Sequence, residues 1–303
     1  MHPLAHEALW DPAKIDSDYN ARATVSVAEF DAEIARYRAA SDAARGSCGR
    51  FLDVEYDRAS GQTIDIFGPE GMGEGAQVPV FIFVHGGYWR ALSKRESAMM
   101  AGMLAARGIA TVVVDYRLAP EVDLAEITRE IRAATAFVWR EGARFGLDPA
   151  RISIGGSSAG GHLVGAVMAP GWQSAFGLPE DVVKFAMPIS GLFELAPIAR
   201  SFAQAWLSLD AEGVAALSPM RHIPAKGCPM AVVWAEGEPA GFRRQSGAYA
   251  ALWRETGAEV AVMEVPARNH FSILMDLADP DRPISRLLLA GIEGRDLAQA
   301  VTL

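Results

Sequence analysis

Three apolar segments, each followed by helix-like sequence, constrain the fold of this 303-residue chain most strongly. They read VFIFVHGG from residue 80, ATVVVDYRLAP from residue 110 and RISIGGSSAGG from residue 151. A continuous apolar run of this length, rich in β-branched residues, predicts a strand that is buried on both faces. Because strands that alternate with helices form a mostly parallel sheet covered on both sides, the sequence predicts an α/β fold.

Further segments extend the predicted sheet and divide the chain into regions. FLDVEYD and TIDIFGP predict two earlier strands, and VKFAMPISG, PMAVVWAEGE and AEVAVMEVPA predict three later ones. Helices are expected at KRESAMMAGMLAARG, ITREIRAATAFVWREGARFG and HLVGAVMA. We therefore predict a single domain over residues 1–303, with a helical extension over about 1–45 and a lid-like helical excursion over about 192–223. In the extension, Val27, Phe30, Ile34 and Tyr37 recur at three- and four-residue steps, as on the buried face of a helix.

Composition and charge exclude several classes of protein. The net charge of −9 would repel a phosphate backbone, so we expect no nucleic-acid partner. The longest apolar runs, such as Val78–Val84, are too short to cross a membrane, and MHPLAHEALWDP lacks the basic and apolar regions of a secretory signal. Cys48 and Cys228 are far apart and unclustered, which favours two reduced thiols, a cytoplasmic location and no metal site.

The sequence GSSAG at residues 156–160 predicts a nucleophilic serine. It fits G-x-S-x-G with Ser158 at the centre, directly after a predicted strand and before a predicted helix. Gly156 and Gly160 permit a tight turn that lifts the serine hydroxyl clear of the sheet, and the helix directs its first amides at developing negative charge. Centring the motif on Ser157 would place Ala159 at the final glycine position, which fits less well.

A plain glycine-rich turn or a phosphate-binding loop is the alternative interpretation of this segment. The segment lacks the G-x-G-x-x-G spacing of a dinucleotide site and the G-K-[ST] ending of a P-loop. The strand and helix on either side therefore favour a nucleophile, and no cofactor is predicted.

A serine hydroxyl needs a base within hydrogen-bonding reach, and the sequence offers three histidines after or near it. The chain order serine, acid, histidine favours His270, which lies in PARNHFSIL after the last predicted strand. His222 lies within the excursion and is the weaker alternative. His162 falls inside the helix that follows Ser158, so it is expected to pack rather than to act as the base.

The third catalytic group should be a carboxylate that follows the penultimate strand. AEGEPAGF, after CPMAVVW, offers Glu236 and Glu238. The turn Gly-Glu-Pro favours Glu238, with Glu236 as the alternative. A glutamate can replace aspartate here, because the role is to fix the imidazole tautomer and to stabilise the imidazolium.

The sequence HGGYW at residues 85–89 predicts one side of an oxyanion hole. Glycines after a buried strand let the amides of Gly86 and Gly87 approach a reacting carbonyl, and the amide of Ala159 would complete the site. A simple strand-ending turn is the alternative. Tyr88 and Trp89 are candidates for an aromatic substrate pocket, although large aromatic residues pack in cores equally often.

These motifs together resemble those of the arylformamidase (kynurenine formamidase) branch of the α/β-hydrolase superfamily. The similar segments are HGGYWR at 85–90, AEGEPAGFRRQS at 235–246 with its Phe242, Gln245 and Ser246, NHF at 269–271, DYN at 18–20, SGLFEL at 190–195 and SP at 218–219. The resemblance spans about residues 18–280. It departs from the family pattern at the acid, which is commonly aspartate, whereas this chain offers Glu238.

The resemblance implies an α/β-hydrolase fold with a small helical lid, a homodimer, and hydrolysis of N-formylkynurenine to kynurenine and formate. It implies a Ser158–His270–Glu238 triad that acts on a small molecule without a metal or cofactor. A short-chain carboxylesterase is the first alternative, because many relatives on this fold cleave esters. A catalytically inactive binding module on the same fold is the second.

Overall fold

A computed structural model describes residues 2–302 of the chain. It contains one eight-stranded sheet, whose strands are β1 (Gly49–Asp57), β2 (Gln62–Phe67), β3 (Val78–Val84), β4 (Ala110–Val114), β5 (Leu147–Ser157), β6 (Val183–Ile189), β7 (Met230–Ala235) and β8 (Val260–Val265). Their order across the sheet is β1-β2-β4-β3-β5-β6-β7-β8. Strand β2 is antiparallel to both of its neighbours and the remaining pairs are parallel, so the predicted mostly parallel sheet is confirmed.

Helices cover both faces of the sheet, as the alternation of strands and helices predicts. They are α1 (Pro12–Tyr19), α2 (Val27–Cys48), α3 (Ala101–Ala105), α4 (Leu124–Glu141), α5 (Ala159–Met168), α6 (Gln204–Leu207), α7 (Ala211–Leu217), α8 (Ala240–Arg254), α9 (Pro283–Ile292) and α10 (Leu297–Thr302). Helices α1, α4, α5 and α8 pack on one face, and α2, α3, α9 and α10 pack on the other. In the described part of the chain, no helix is both long and apolar enough to cross a membrane.

Strand side chains alternate between two cores, one on each side of the sheet. In β3, Val80, Ile82 and Val84 face the first core, whereas Phe81 and Phe83 face the second. All five are at most 1% exposed. Each strand of this kind therefore stabilises both layers of helices, which explains why its sequence is apolar without interruption.

Two sequence expectations about helices are wrong in detail. The helix expected over residues 94–108 is reduced to a 3-10 turn at Lys94–Glu96 and the five-residue α3. Val27 is 67% exposed, because it is the first residue of α2, directly after the Ser26 cap. Ser26 and Glu29 form reciprocal capping bonds there, which satisfy amides that lack partners within the helix.

The carboxyl ends of the six parallel strands, β3 to β8, meet along one edge of the sheet. Val84 at the end of β3 pairs with Gly156 of β5, and Ser157 pairs with Ile189 of β6. Ile189 pairs with Val233 of β7, whose neighbour is β8. The residues that follow these strands are therefore adjacent in space, although more than 180 residues separate the first from the last along the chain.

Candidate active site

Ser158 lies between the end of β5 and the start of α5, in a backbone conformation that side chains rarely adopt. Its φ is 59° and its ψ is −117°. A conformation of this kind costs about 1–3 kcal/mol and persists only where surrounding contacts hold it. Here the Ser158 amide donates to the Ile189 carbonyl at 2.8 Å, and the Ser158 carbonyl accepts from the His162 amide at 3.0 Å.

The glycines on either side of this serine are required by close contacts of the backbone. A Cβ atom added to Gly160 would lie 2.1 Å from the Val84 carbonyl oxygen. One added to Gly156 would lie 2.6 Å from the Gly160 carbonyl oxygen. Helix α5 can therefore begin against the end of β3 only because these side chains are absent, which is the physical basis of the G-x-S-x-G pattern.

His270 lies on the loop after β8, which polar contacts hold in place. The Asn269 side chain accepts from the amides of Phe271 and Ser272 at 3.0 and 2.8 Å. The imidazole of His270 is 5% exposed, and its centroid lies 4.5 Å from that of the Phe242 ring. The loop and Phe242 together fix the imidazole at the carboxyl edge of the sheet.

Glu238 lies beside this imidazole, with its Oε1 atom 3.4 Å from His270 Nδ1. The carboxylate is buried, and Oε1 accepts from the Ser190 hydroxyl and, at 3.2 Å, from the Ala235 amide. A carboxylate on the Nδ1 side favours the tautomer with its proton on Nδ1, which leaves Nε2 free to act as a base. Glu236 is instead exposed and accepts from the Ala267 amide at 2.9 Å. Of the two carboxylates that the sequence left open, the structure brings Glu238 to the imidazole.

Ser190 is a site residue that the sequence analysis missed. It follows β6 directly, is fully buried, and its amide donates to the Val233 carbonyl at 2.8 Å while its hydroxyl donates to Glu238. The position of Ser190 directly after a predicted strand could have suggested a place in the site, because the carboxyl ends of parallel strands converge. Many other polar residues also follow predicted strands, however, so this position identifies Ser190 only when the order of the strands in the sheet is known.

The loop after β3 runs alongside the serine. A Cβ atom added to Gly86 would lie 2.8 Å from the Ser157 carbonyl oxygen and 3.2 Å from Ser158 Cβ. Gly87 has a φ of 95°, in the region that favours glycine. Ala159 is the first residue of α5, so its amide has no acceptor within the helix. The structure thus brings Gly86, Gly87 and Ala159 to the serine, as an oxyanion hole requires.

Two side chains orient the peptide group that carries the Gly87 amide. The Gly86 carbonyl oxygen lies 2.9 Å from His85 Nδ1 and accepts from the Tyr116 hydroxyl at 3.3 Å. The C=O and N–H of a trans peptide point in opposite directions, so these contacts also fix the direction of the Gly87 N–H. Burial lowers the pKa of His85 to about 4, which keeps its imidazole neutral while it stacks on Tyr116 with centroids 4.1 Å apart.

The two other candidate histidines are held by backbone carbonyls away from this loop. His162 Nε2 lies 2.8 Å from the Leu217 carbonyl oxygen, and burial lowers the pKa of His162 to about 4. His222 Nε2 lies 2.8 Å from the Ala215 carbonyl oxygen. Both therefore connect neighbouring segments of the chain, and neither lines the cavity that contains Ser158.

A cavity of about 280 Å³ opens over the serine. Its lining residues are Ala21, Arg22, Phe30, Ile34, Tyr37, Gly86, Gly87, Tyr88, Arg90, Ala91, Leu92, Ser157, Ser158, Trp206, His270, Phe271 and Leu274. Ser158 and His270 thus face one space, together with the Gly86–Gly87 turn. No group of three or more side chains suited to a metal ion occurs among residues 2–302.

The expectation that Trp89 lines this cavity is wrong, whereas Tyr88 does line it. Trp89 is fully buried, and its ring packs edge-on against His162 with centroids 5.1 Å apart. Gly87, Tyr88 and Trp89 all have positive φ values, and this turn directs the two aromatic side chains to different environments. The aromatic lining of the cavity includes Trp206 instead, from α6 in the excursion over 192–223, which the sequence analysis did not identify as a pocket residue.

Comparison with known proteins agrees with this geometry. The domain family described as BD-FAE matches residues 64–187. Kynurenine formamidase from Salmo salar is 30% identical over 255 residues, which cover 82% of this chain and 84% of that protein. The chain belongs to the kynurenine formamidase family. Esterase LipQ from Mycobacterium tuberculosis is 28% identical to this family member, over 72% of this chain and 56% of that protein.

Solved structures share the fold. A thermophilic carboxylesterase cloned from a metagenomic library superposes with a TM-score of 0.68 at 20% identity, covering 91% of this chain and 98% of that chain. The resemblance to the kynurenine formamidase branch, the α/β-hydrolase fold and the assignment as a hydrolase are therefore confirmed.

Proposed function

We propose that this protein hydrolyses aryl formamides, with Ser158 as nucleophile, His270 as general base and Glu238 as the group that orients the imidazole. The observation that carries the proposal is the shared cavity, in which Ser158, His270 and the Gly86–Gly87 turn face one space while Glu238 lies 3.4 Å behind the imidazole. A nucleophile, a base with its orienting acid, and convergent amides together support acyl transfer.

The proposed reaction has two halves. Ser158 Oγ attacks the formyl carbon while His270 Nε2 accepts the hydroxyl proton, and the amides of Gly86, Gly87 and Ala159 stabilise the oxyanion. Collapse of this intermediate breaks the C–N bond, and the imidazolium donates its proton to the departing aryl amine. Water then attacks the formyl ester of Ser158, with His270 again taking a proton, and formate leaves as the serine hydroxyl is restored.

The proposed substrate is N-formylkynurenine, cleaved to kynurenine and formate. Support comes from the kynurenine formamidase relatives and from the aromatic lining of the cavity by Tyr88, Trp206 and Phe271, which suits an aryl leaving group. The proposed location is the cytoplasm, and the two free cysteines, Cys48 and Cys228, accord with a reducing compartment.

Rates on N-formylkynurenine and on p-nitrophenyl acetate test this proposal. We expect a higher kcat/KM for the formamide, and loss of both activities in S158A. Labelling of the native protein by a fluorophosphonate, but not of S158A, is the expected companion result. An unlabelled native protein that cleaves neither substrate would indicate the binding module instead.

A short-chain carboxylesterase is the second candidate, favoured by the similarity to Esterase LipQ. It predicts rapid cleavage of aryl acetates with no cleavage of formanilides. An ester-only profile would therefore replace the formamidase proposal while leaving the same catalytic residues in place.

A further inference from the structure

The cavity over Ser158 has an unbalanced charge. Two of its lining side chains, Arg22 and Arg90, are cationic, and among the described residues no aspartate or glutamate lines it. The chain as a whole carries nine more acidic than basic side chains, so this local balance is opposite to that of the protein. A cavity with cations and no facing anions favours a negatively charged ligand.

Arg90 is presented to this space without a protein partner for its charge. Its guanidinium carbon lies 4.3 Å from the centroid of the Trp206 ring, and within residues 2–302 its side chain forms no ion pair or hydrogen bond. The indole is itself held, because Trp206 Nε1 donates to the Tyr88 carbonyl at 3.0 Å. Stacking on a fixed ring restrains the guanidinium and leaves its N–H edge free to bind a carboxylate.

Arg22 is less available than Arg90. Its Nη1 atom donates to the Val25 carbonyl at 2.9 Å, and its guanidinium carbon lies 4.6 Å from the centroid of the Phe30 ring. Part of its donor capacity is therefore used within the N-terminal segment. We expect Arg22 to make the smaller contribution to binding an anion.

The carboxylates of Asp16 and Glu238 already accept hydrogen bonds from other groups. Asp16 accepts from the Phe202 amide at 2.7 Å, and Glu238 accepts from Ser190 and faces His270. Neither lines the cavity. Within the described lining, these carboxylates therefore do not compete with a bound anion for Arg90.

We propose that the leaving-group side of this cavity selects aryl substrates that carry a carboxylate, and that Arg90 is the residue that determines this specificity. The inference rests on the proposed function for the identity of the cleaved bond. It deepens that proposal, because N-formylkynurenine carries such a carboxylate on its leaving group.

Three ketones with the same 2-formamidophenyl group test the proposal. They are 4-(2-formamidophenyl)-4-oxobutanoate, which is anionic, N-formylkynurenine, which adds an ammonium group, and 1-(2-formamidophenyl)butan-1-one, which is neutral. A charge-assisted bond to a partly exposed arginine corresponds to about tenfold in affinity. We therefore expect kcat/KM for the anion to exceed that for the neutral ketone about tenfold, mainly through KM, and kcat/KM for N-formylkynurenine to exceed that for the neutral ketone as well.

Variants separate Arg90 from general charge effects. R90Q should lower kcat/KM for the anion about tenfold more than for the neutral ketone, and R22Q about threefold more. R58Q, at a remote side chain that is 98% exposed, is the matched control and should preserve the order of the substrates. Thermal midpoints establish that each variant is folded. Equal rates for the anion and the neutral ketone, or a preference for the anion that survives in R90Q, would overturn the inference.

Failure of the proposed function gives a different pattern. If aryl esters are cleaved and no formamide is, the formamidase proposal is wrong. The charge comparison is then repeated by measuring kcat/KM for 3-acetoxybenzoate, which is anionic, and for phenyl acetate, which is neutral, in the native protein and in R90Q. If neither class is cleaved, calorimetric binding of 4-(2-aminophenyl)-4-oxobutanoate against its neutral ketone analogue decides the inference. Tighter binding of the acid that is lost in R90Q supports it, and equal binding refutes it.

Discussion

Replacing Glu238 by glutamine should nearly abolish activity, whereas the same change at Glu236 should not. Glu238 Oε1 lies 3.4 Å from His270 Nδ1, in a buried setting. At an effective dielectric constant of about 20, a unit charge at that distance stabilises an imidazolium by about 5 kcal/mol. Removal of that charge corresponds to a fall in kcat of on the order of 10³ to 10⁴.

Glutamine preserves the shape of the side chain, so this loss is electrostatic. Its carbonyl oxygen can take the place of Oε1, where it still accepts from Ser190 and faces His270 Nδ1, but it lacks the full negative charge that stabilises an imidazolium. E236Q is the matched control, because Glu236 is exposed and bonded to the Ala267 amide instead. We expect its kcat to stay within about twofold of the native value.

Steady-state kinetics on the best formamide or aryl ester, with thermal midpoints for each variant, measure both effects. The reasoning is refuted if E238Q is folded and keeps more than a tenth of the native kcat. It is equally refuted if E236Q shows the larger loss, because the carboxylate that orients His270 would then be the other one.

Three further perturbations follow from the contacts around the site. Ser190→Ala removes the hydroxyl that donates to the Glu238 carboxylate and should lower kcat about tenfold, with little further effect when combined with E238Q. Gly160→Ala places a Cβ atom 2.1 Å from a backbone oxygen and should lower the free energy of unfolding by about 3 kcal/mol in a thermal denaturation assay. Gly102→Ala, whose Cβ atom would meet open space, is the control, and its free energy of unfolding should stay within about 1 kcal/mol of the native value. Burial lowers the pKa of His85 and His162 from 6.5 to about 4, so folding favours their neutral forms. The stability that these neutral imidazoles contribute is fully present above pH 6.5 and is lost as the pH falls toward 4. By pH 5 the free energy of unfolding should be lower by about 2 kcal/mol for each histidine. A urea midpoint that is unchanged between about pH 7.5 and 5 would contradict this prediction.

The layered architecture and the elements that carry the candidate site follow from local sequence patterns. Buried strands must be apolar on both faces, so VFIFV and ATVVV indicate their environment without any knowledge of their neighbours. The turn at Ser158 is recognisable from five consecutive residues, GSSAG, although Gly160 is required by a tertiary contact with Val84 of β3. These features could be predicted since the sequence pattern of each lies within a few consecutive residues.

Tertiary structure decided which side chains meet at the sheet edge. Glu236 and Glu238 are two residues apart, and only the turn after β7 determines which of them faces His270. Ser190 reaches Glu238 because β6 lies between β5 and β7 in the sheet. Consecutive positive φ values turn Trp89, a pocket candidate, into the core, whereas α6 brings Trp206 to the cavity. Such contacts join residues far apart in the chain, and their distances depend on strand order and side-chain direction, which no local pattern encodes.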